Sequence, residues 1–212
     1  MLFRSGVLSG PNLFQEILNG SPSATVIGSR YTEIIKKGIQ IFASNHFKVY
    51  GSDDIVGVEL GGVVKNVVAI AAGIADGMEY GDNTKSLLIT RGMSEMGRIG
   101  SQMGARPITF TGLAGIGDMM VSCSSQLSRN YRVGYNLARG KSLSQIMKEM
   151  YSVAEGINTA KVLHELAQEK KFKTPIMEGV YQILYQNRNI QEVVVDLMNR
   201  MALFEIDMTL FS

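Results

Sequence analysis

Short β-branched runs before residue 52 give way to long helical periodicities after it. The most apolar stretch is Gly57 to Gly77, GVELGGVVKNVVAIAAGIADG, almost free of charge yet carrying Lys65 and Asn66 at its middle. Small residues stand on every side of such a helix (Gly61, Gly62, Ala69, Ala71, Ala72, Gly73), so its neighbours can approach closely. It is expected to run through the centre of a helical domain. Asp53 or Asp54 can cap it, and Gly73, Gly77 and Gly81 are expected to loosen its far end.

Upstream, the pattern reads strand, helix, strand, helix, strand. Gly6 to Asn12 is a short strand running into a Gly-Pro turn, with Asn12 the expected cap of a short helix, LFQEILN. Ser23 to Gly28 is a buried strand, Tyr31 to Ser44 a helix with Ile34, Ile35, Ile39 and Phe42 on one face, and Phe47 to Tyr50 a third strand. This order predicts parallel pairing through crossovers. Three strands leave two open edges, so this part reads as the end of something larger.

Downstream, Asp82-Asn83 opens a helix running to about Met103, with Gly104 as its left-handed stop. Residues 107–128 read as a Gly/Ser-rich loop holding a short apolar turn. Asn130 to Arg139 is a helix ended by Gly140, and Ser142 to Gln145 has capping-box spacing. Glu155 to Glu169, Pro175 to Asn187 and Ile190 to about Phe204 complete the set, with Thr174-Pro175 as a cap and first-position proline. Asn189 to Glu192 again has cap-box spacing, and the last eight or so residues are expected to be loose.

Composition narrows the classes. The chain is 45% hydrophobic and 19% charged with a net charge of +2, and its basic residues do not cluster as nucleic-acid binding requires. One cysteine, Cys123, excludes an intrachain disulfide and fits a reducing compartment. The uncharged run Val67 to Ala75 falls short of a bilayer span, and no signal-peptide core is present, so the expectation is a cytoplasmic protein without stable membrane insertion. The two histidines, His46 and His164, lie in separate elements and give a metal little to bind; His164 reads as a solvated helix position. The 13 methionines read as core filler.

Four places carry candidate chemistry. Lys65 either snorkels out of its apolar helix or faces a polar cavity as an acid/base. Ser128-Arg129-Asn130 at a helix start suits a phosphate, through free N–H groups and a guanidinium fork, or is a plain cap beside a solvated arginine. Asp118, in a glycine-rich apolar segment, needs a partner such as Lys65 or a substrate hydroxyl, or else caps a turn. Glu155 bonds a ribose or amide, or is simply a first-turn acid. No G-x-G-x-x-G follows a strand; Gly112 to Gly117 has another spacing.

LSGPN (8–12), the run from Val49 to Met96, TFTGLAGIGDMMVSCSSQLSRNYRVG (109–134) and VAEGINTA (153–160) together resemble the bacterial NAD(P)-dependent glycerol-3-phosphate dehydrogenase family. The likeness is ordered from Leu8 to about Glu205, and Met1 to Ser5 do not match it. It implies a mostly α chain. Residues 1–52 would be the last strands and helices of an α/β Rossmann domain that binds NAD(P)H. Residues 53–212 would be an all-helical substrate domain like the C-terminal domain of 6-phosphogluconate dehydrogenase. The chain would then be a fragment, inactive alone.

By resemblance, Lys65 is the proton acceptor, and Gly10, Asn12, Lys65, Asp118, Ser128, Arg129 and Asn130 contact the substrate. Arg129, Val153 and Glu155 reach the cofactor, and no metal is involved. Asn12 stands where Ser or Thr is usual, and Phe14 where a small residue is common. The implied reaction interconverts dihydroxyacetone phosphate and sn-glycerol 3-phosphate for phospholipid synthesis, with a homodimer left open. The rivals are a hydroxy-acid dehydrogenase domain, which would not need so many anion donors, and a non-catalytic helical assembly module.

Overall fold

The computed structural model describes residues 4–150 and 152–200. Three strands, β1 (Val7–Ser9), β2 (Ser23–Gly28) and β3 (Phe47–Ser52), form one sheet in the order β1-β2-β3. β2 and β3 are parallel, with Ser23 opposite Phe47 and Gly28 opposite Ser52. β1 runs antiparallel to β2, with Val7 opposite Gly28, which corrects the expectation of parallel pairing throughout. The reason lies in α1 (Phe14–Leu18), five residues with none buried. A parallel crossover needs a helix long enough to traverse a sheet face and apolar enough to pack there.

Asn12 does not cap α1 either. Leu13 holds the cap position without a side-chain bond, while Asn12 donates to Thr25 Oγ1 at 2.9 Å. α2 (Thr32–Phe42) crosses between β2 and β3, its Ile34, Ile35 and Ile39 half-buried against the sheet and Phe42 exposed. The other sheet face packs through Val26 on Val58 and Ala114.

α3 (Ile55–Gly77) is the central helix, with fifteen of its 23 residues buried. Its length and mean hydropathy of 1.7 would suffice to cross a membrane, yet its faces are covered by α4 (Asp82–Gln102), α5 (Asp118–Ser124), α6 (Arg129–Ala138) and α8 (Glu155–Lys170). Asp54 caps it as expected. Its Oδ1 accepts from Gly57 N at 2.9 Å, and its Oδ2 accepts from Arg106 N and Thr109 Oγ1 at 2.9 and 2.6 Å.

Gly73 does not loosen α3. A Cβ there would lie 2.0 Å from Tyr131 O, and one on Gly134 would lie 1.9 Å from Ile70 O, so α3 and α6 pack backbone to backbone. Gly77 likewise meets Ala138 and Tyr135, and the helix stays intact to its end.

Residues 107–128 are largely helical, not a loop. A 3₁₀ turn over Pro107–Thr111 leads into a π turn over Leu113–Gly117 and then α5. Glycines lowered the helical signal there because close approach demanded them: a Cβ on Gly61 would lie 2.0 Å from Ala114 O. α7 (Leu143–Glu149) carries the expected capping box at Ser142 and Gln145.

Thr174 holds the cap position of α9 (Pro175–Tyr185), as expected, but makes no cap bond. Glu95 of α4 caps it from outside, accepting from Ile176 N at 2.7 Å and Met177 N at 3.2 Å. α10 (Ile190–Met198) is capped by Asn189; its expected extension past residue 200, and the loose tail, fall outside the described residues. His164 is not a solvated position. Its Nδ1 lies 2.6 Å from Glu178 Oε2, and its ring stacks on Tyr181 at 3.7 Å.

Candidate active site

Lys65 projects from the middle of α3, one turn beyond Gly61. Because Gly61 lets the 113–117 turn rest on α3, Asp118 at the first position of α5 comes against that lysine. Lys65 Nζ lies 2.5 Å from Asp118 Oδ1, with the lysine side chain 20% exposed and the aspartate 3%. The lysine therefore neither snorkels to bulk solvent nor sits unpaired.

Burial pushes the Asp118 carboxyl up from its ordinary range, against the opposing pull of the Lys65 ammonium, the Ser122 hydroxyl and the Gly10 backbone. Ser122 Oγ reaches Asp118 Oδ1 at 3.4 Å. The Gly10 backbone thus stands near Asp118, Gly10 does not line the cavity described below, and its φ of +147° favours a glycine.

Lys65 and Asp118 open onto a cavity of about 510 Å³. Its far wall is the start of α6. Ser128 caps that helix, accepting from Tyr131 N at 3.3 Å. Arg129, its first residue, pairs with Glu155 at the start of α8, Nη2 to Oε1 2.9 Å, both half-exposed.

Asn130 is buried and committed inward. Its Nδ2 donates to Asn66 Oδ1 at 2.9 Å, and its Oδ1 accepts from Gly156 N at 2.8 Å. It joins α3, α6 and α8, and one amide hydrogen remains for a ligand.

Asn12 lines the wall nearest the sheet. Thr25 Oγ1 donates to Ser9 O, so it accepts from Asn12 Nδ2, and this order fixes the amide. Asn12 Oδ1 is buried without a partner. A buried acceptor left unmade costs free energy, so the atom suits an N–H or O–H arriving in the cavity.

Lys65, Asp118, Asn12, Ser128, Arg129, Asn130 and Glu155 therefore share one cavity. Val153 does not line it and is 56% exposed. Among the polar lining residues, Asn66, Ser122, Arg132, Ser152 and Gln15 were given no site role from sequence. Helical spacing signals two of them, since Ser122 stands four residues after Asp118 and Arg132 three after Arg129. Cys123 lies in the apolar core and does not line the cavity, and burial pushes its thiol up to about 12.

The model of the C-terminus of NAD-dependent glycerol-3-phosphate dehydrogenase matches residues 54–195. Among curated proteins, glycerol-3-phosphate dehydrogenase [NAD(P)+] of Dehalococcoides mccartyi is 46% identical over 200 residues, 94% of this chain and 56% of that protein. That of Staphylococcus aureus is 44% identical over 92% of this chain and 59% of its own length. The crystal structure of glycerol-3-phosphate dehydrogenase from Coxiella burnetii superposes with a TM-score of 0.90 at 38% identity, over 92% of this chain and 60% of that one. The enzyme of Saccharomyces cerevisiae gives 0.82 at 27%, over 93% and 60%. The chain thus spans 56% and 59% of the length of the two curated relatives.

Proposed function

The chain belongs to the NAD-dependent glycerol-3-phosphate dehydrogenase family, and from that premise we propose that its cavity holds a triose phosphate for reversible reduction at C2. The supporting observation is the Lys65–Asp118 pair facing, across one cavity, the Ser128-Arg129-Asn130 helix start. The substrate is dihydroxyacetone phosphate, reduced to sn-glycerol 3-phosphate. Its phosphate rests on the first turn of α6, where free N–H groups, the helix dipole and Arg129 favour an anion. A three-carbon chain then extends toward Lys65.

In the reducing direction Lys65, paired with Asp118, gives a proton to the C2 carbonyl oxygen. In oxidation Lys65 takes the proton of the C2 hydroxyl. Asp118 keeps Nζ aimed at the cavity throughout. Asn12 Oδ1 accepts from a donor on substrate or cofactor.

NAD(P)H is the implied cofactor, and the donor set fits one end of it. Glu155, Arg129 and Asn12 Oδ1 offer partners for a ribose and a carboxamide, while the sequence shows no glycine fingerprint for a pyrophosphate. When bound, the nicotinamide supplies or accepts the hydride at C2. Residues 1–52 are read as the end of the dinucleotide-binding domain and residues 53–212 as the substrate domain. Val153 belongs to the cofactor side of this reading through resemblance alone. A cytoplasmic place in glycerophospholipid synthesis goes with it.

The test is a ¹⁵N NMR titration of the 212-residue chain with sn-glycerol 3-phosphate. Saturable shifts are expected at Lys65 and at residues 128–130, and they should vanish in Arg129→Ala. Arg129→Ala binding as well as the parent would refute the phosphate assignment.

A further inference from the structure

Five charged side chains line the cavity: Lys65, Arg129 and Arg132 against Asp118 and Glu155. Two pairs are closed, Lys65 on Asp118 and Arg129 on Glu155. The Arg132 guanidinium has no ion pair or hydrogen bond among the described residues, and it stands one turn along α6 from Arg129 on the same face. The cavity therefore presents one unanswered positive charge, and its principal anion-binding arginine is already held by a carboxylate.

A phosphate monoester carries nearly two negative charges near neutral pH. Arg132 alone cannot balance it, whereas Arg129 and Arg132 together can. The Arg129–Glu155 pair is half-exposed, so it is weak and readily exchanged. An arginine fork that grips one carboxylate grips phosphate oxygens with the same geometry.

We infer that the phosphate is bound by ion-pair exchange: Arg132 receives the anion, Arg129 leaves Glu155 to join it, and Glu155 acts as a built-in competitor. This rests on the cavity being a phosphate-ester site and deepens that reading. Arg132 becomes a binding residue. Glu155 sets how much anion is needed to open the site, and once released it presents an acceptor at the cavity rim. Phosphate binding and the availability of that acceptor are thereby linked, because one guanidinium cannot satisfy both partners.

The titration with sn-glycerol 3-phosphate is repeated on Glu155→Gln and Arg132→Gln, both partly or fully exposed positions whose spectra report folding directly. Glu155→Gln should tighten binding about two- to five-fold, the span of a partly exposed ion pair. Arg132→Gln should weaken it about three- to ten-fold. In the double variant Glu155→Gln/Arg129→Ala the gain should disappear. Unchanged or weaker binding by Glu155→Gln, or undiminished binding by Arg132→Gln, overturns the exchange. If Arg129→Ala still abolishes binding, the phosphate site survives that failure; if Arg129→Ala binds normally, or the parent chain shows no saturable binding, the site reading falls first.

Discussion

Lys65 Nζ and Asp118 Oδ1 lie 2.5 Å apart although 53 residues separate them in the chain. One is on the central helix, the other at the start of a short helix pressed against it. The aspartate is inside and the lysine reaches the cavity, so the pair joins the core to the site.

Removing the carboxylate should lower both activity and stability. Asp118→Asn leaves the Lys65 charge without its carboxylate, but that lysine reaches the cavity, so unfolding free energy is expected to fall by about 1–3 kcal/mol near pH 7. Turnover of a full-length relative carrying the aligned change should fall about 100-fold or more, because Lys65 loses its aim. Chemical denaturation and steady-state rates measure the two effects. Equal activity with lower stability would make the aspartate merely structural.

Close approach at Gly61 is what brings Asp118 to Lys65. In Gly61→Ala the new methyl would meet Ala114 O at 2.0 Å. The turn over 113–117 must then move away, costing about 1–3 kcal/mol. A lower unfolding midpoint is expected together with loss of the substrate-induced NMR shifts at Lys65. Retention of both would show that the contact is slack.

Glu95 gives the stability a pH dependence. Burial raises its carboxyl to about 7, opposed by the Ile176 and Met177 N–H groups and by Arg98 and Arg200. The folded form therefore holds its proton more tightly than the unfolded one. The resulting stabilisation is fully present below pH about 4.5 and is lost as pH rises through about 7, some ~3 kcal/mol in all. Against the parent chain, Glu95→Gln should gain relative stability from pH 5 to 8 in denaturant titrations. A difference constant with pH would mean an ordinary carboxylate.

The 212-residue chain should bind NADPH weakly on its own, with a dissociation constant of about 1 mM or higher, since no glycine-rich strand–turn–helix cradles a pyrophosphate. Calorimetry checks this. Micromolar binding would show that the described residues hold far more of the cofactor than the donor set at Glu155, Arg129 and Asn12 suggests.

Much of the fold was legible where local chemistry speaks for itself. Asp54, Ser128, Ser142 and Asn189 cap helices whose starts their sequence spacing marks. The central position of α3 followed from its small residues. What local patterns could not show was long-range. Glu95 caps a helix 81 residues away, and β1 turns antiparallel because α1 is too short to carry it across. Gly73 and Gly77 look like helix weakeners in one dimension and are packing surfaces in three.

The site divides the same way. Lys65, Asp118 and the 128–130 turn stand out as charges and caps in apolar surroundings. Asn66 shares that contrast but was given no role, and Ser122 and Arg132 lack it. Their helical spacing from Asp118 and Arg129, or adjacency to Lys65, was the available signal.

The account depends most on Lys65 as the proton-transferring group. In a full-length relative, the lysine aligned with Lys65 is changed to alanine, and the rate of dihydroxyacetone phosphate reduction and the affinity for NADPH are measured together. Loss of general acid–base assistance predicts a fall in kcat of about 100- to 10,000-fold with cofactor affinity little altered. Turnover within a few-fold of the parent enzyme would contradict it.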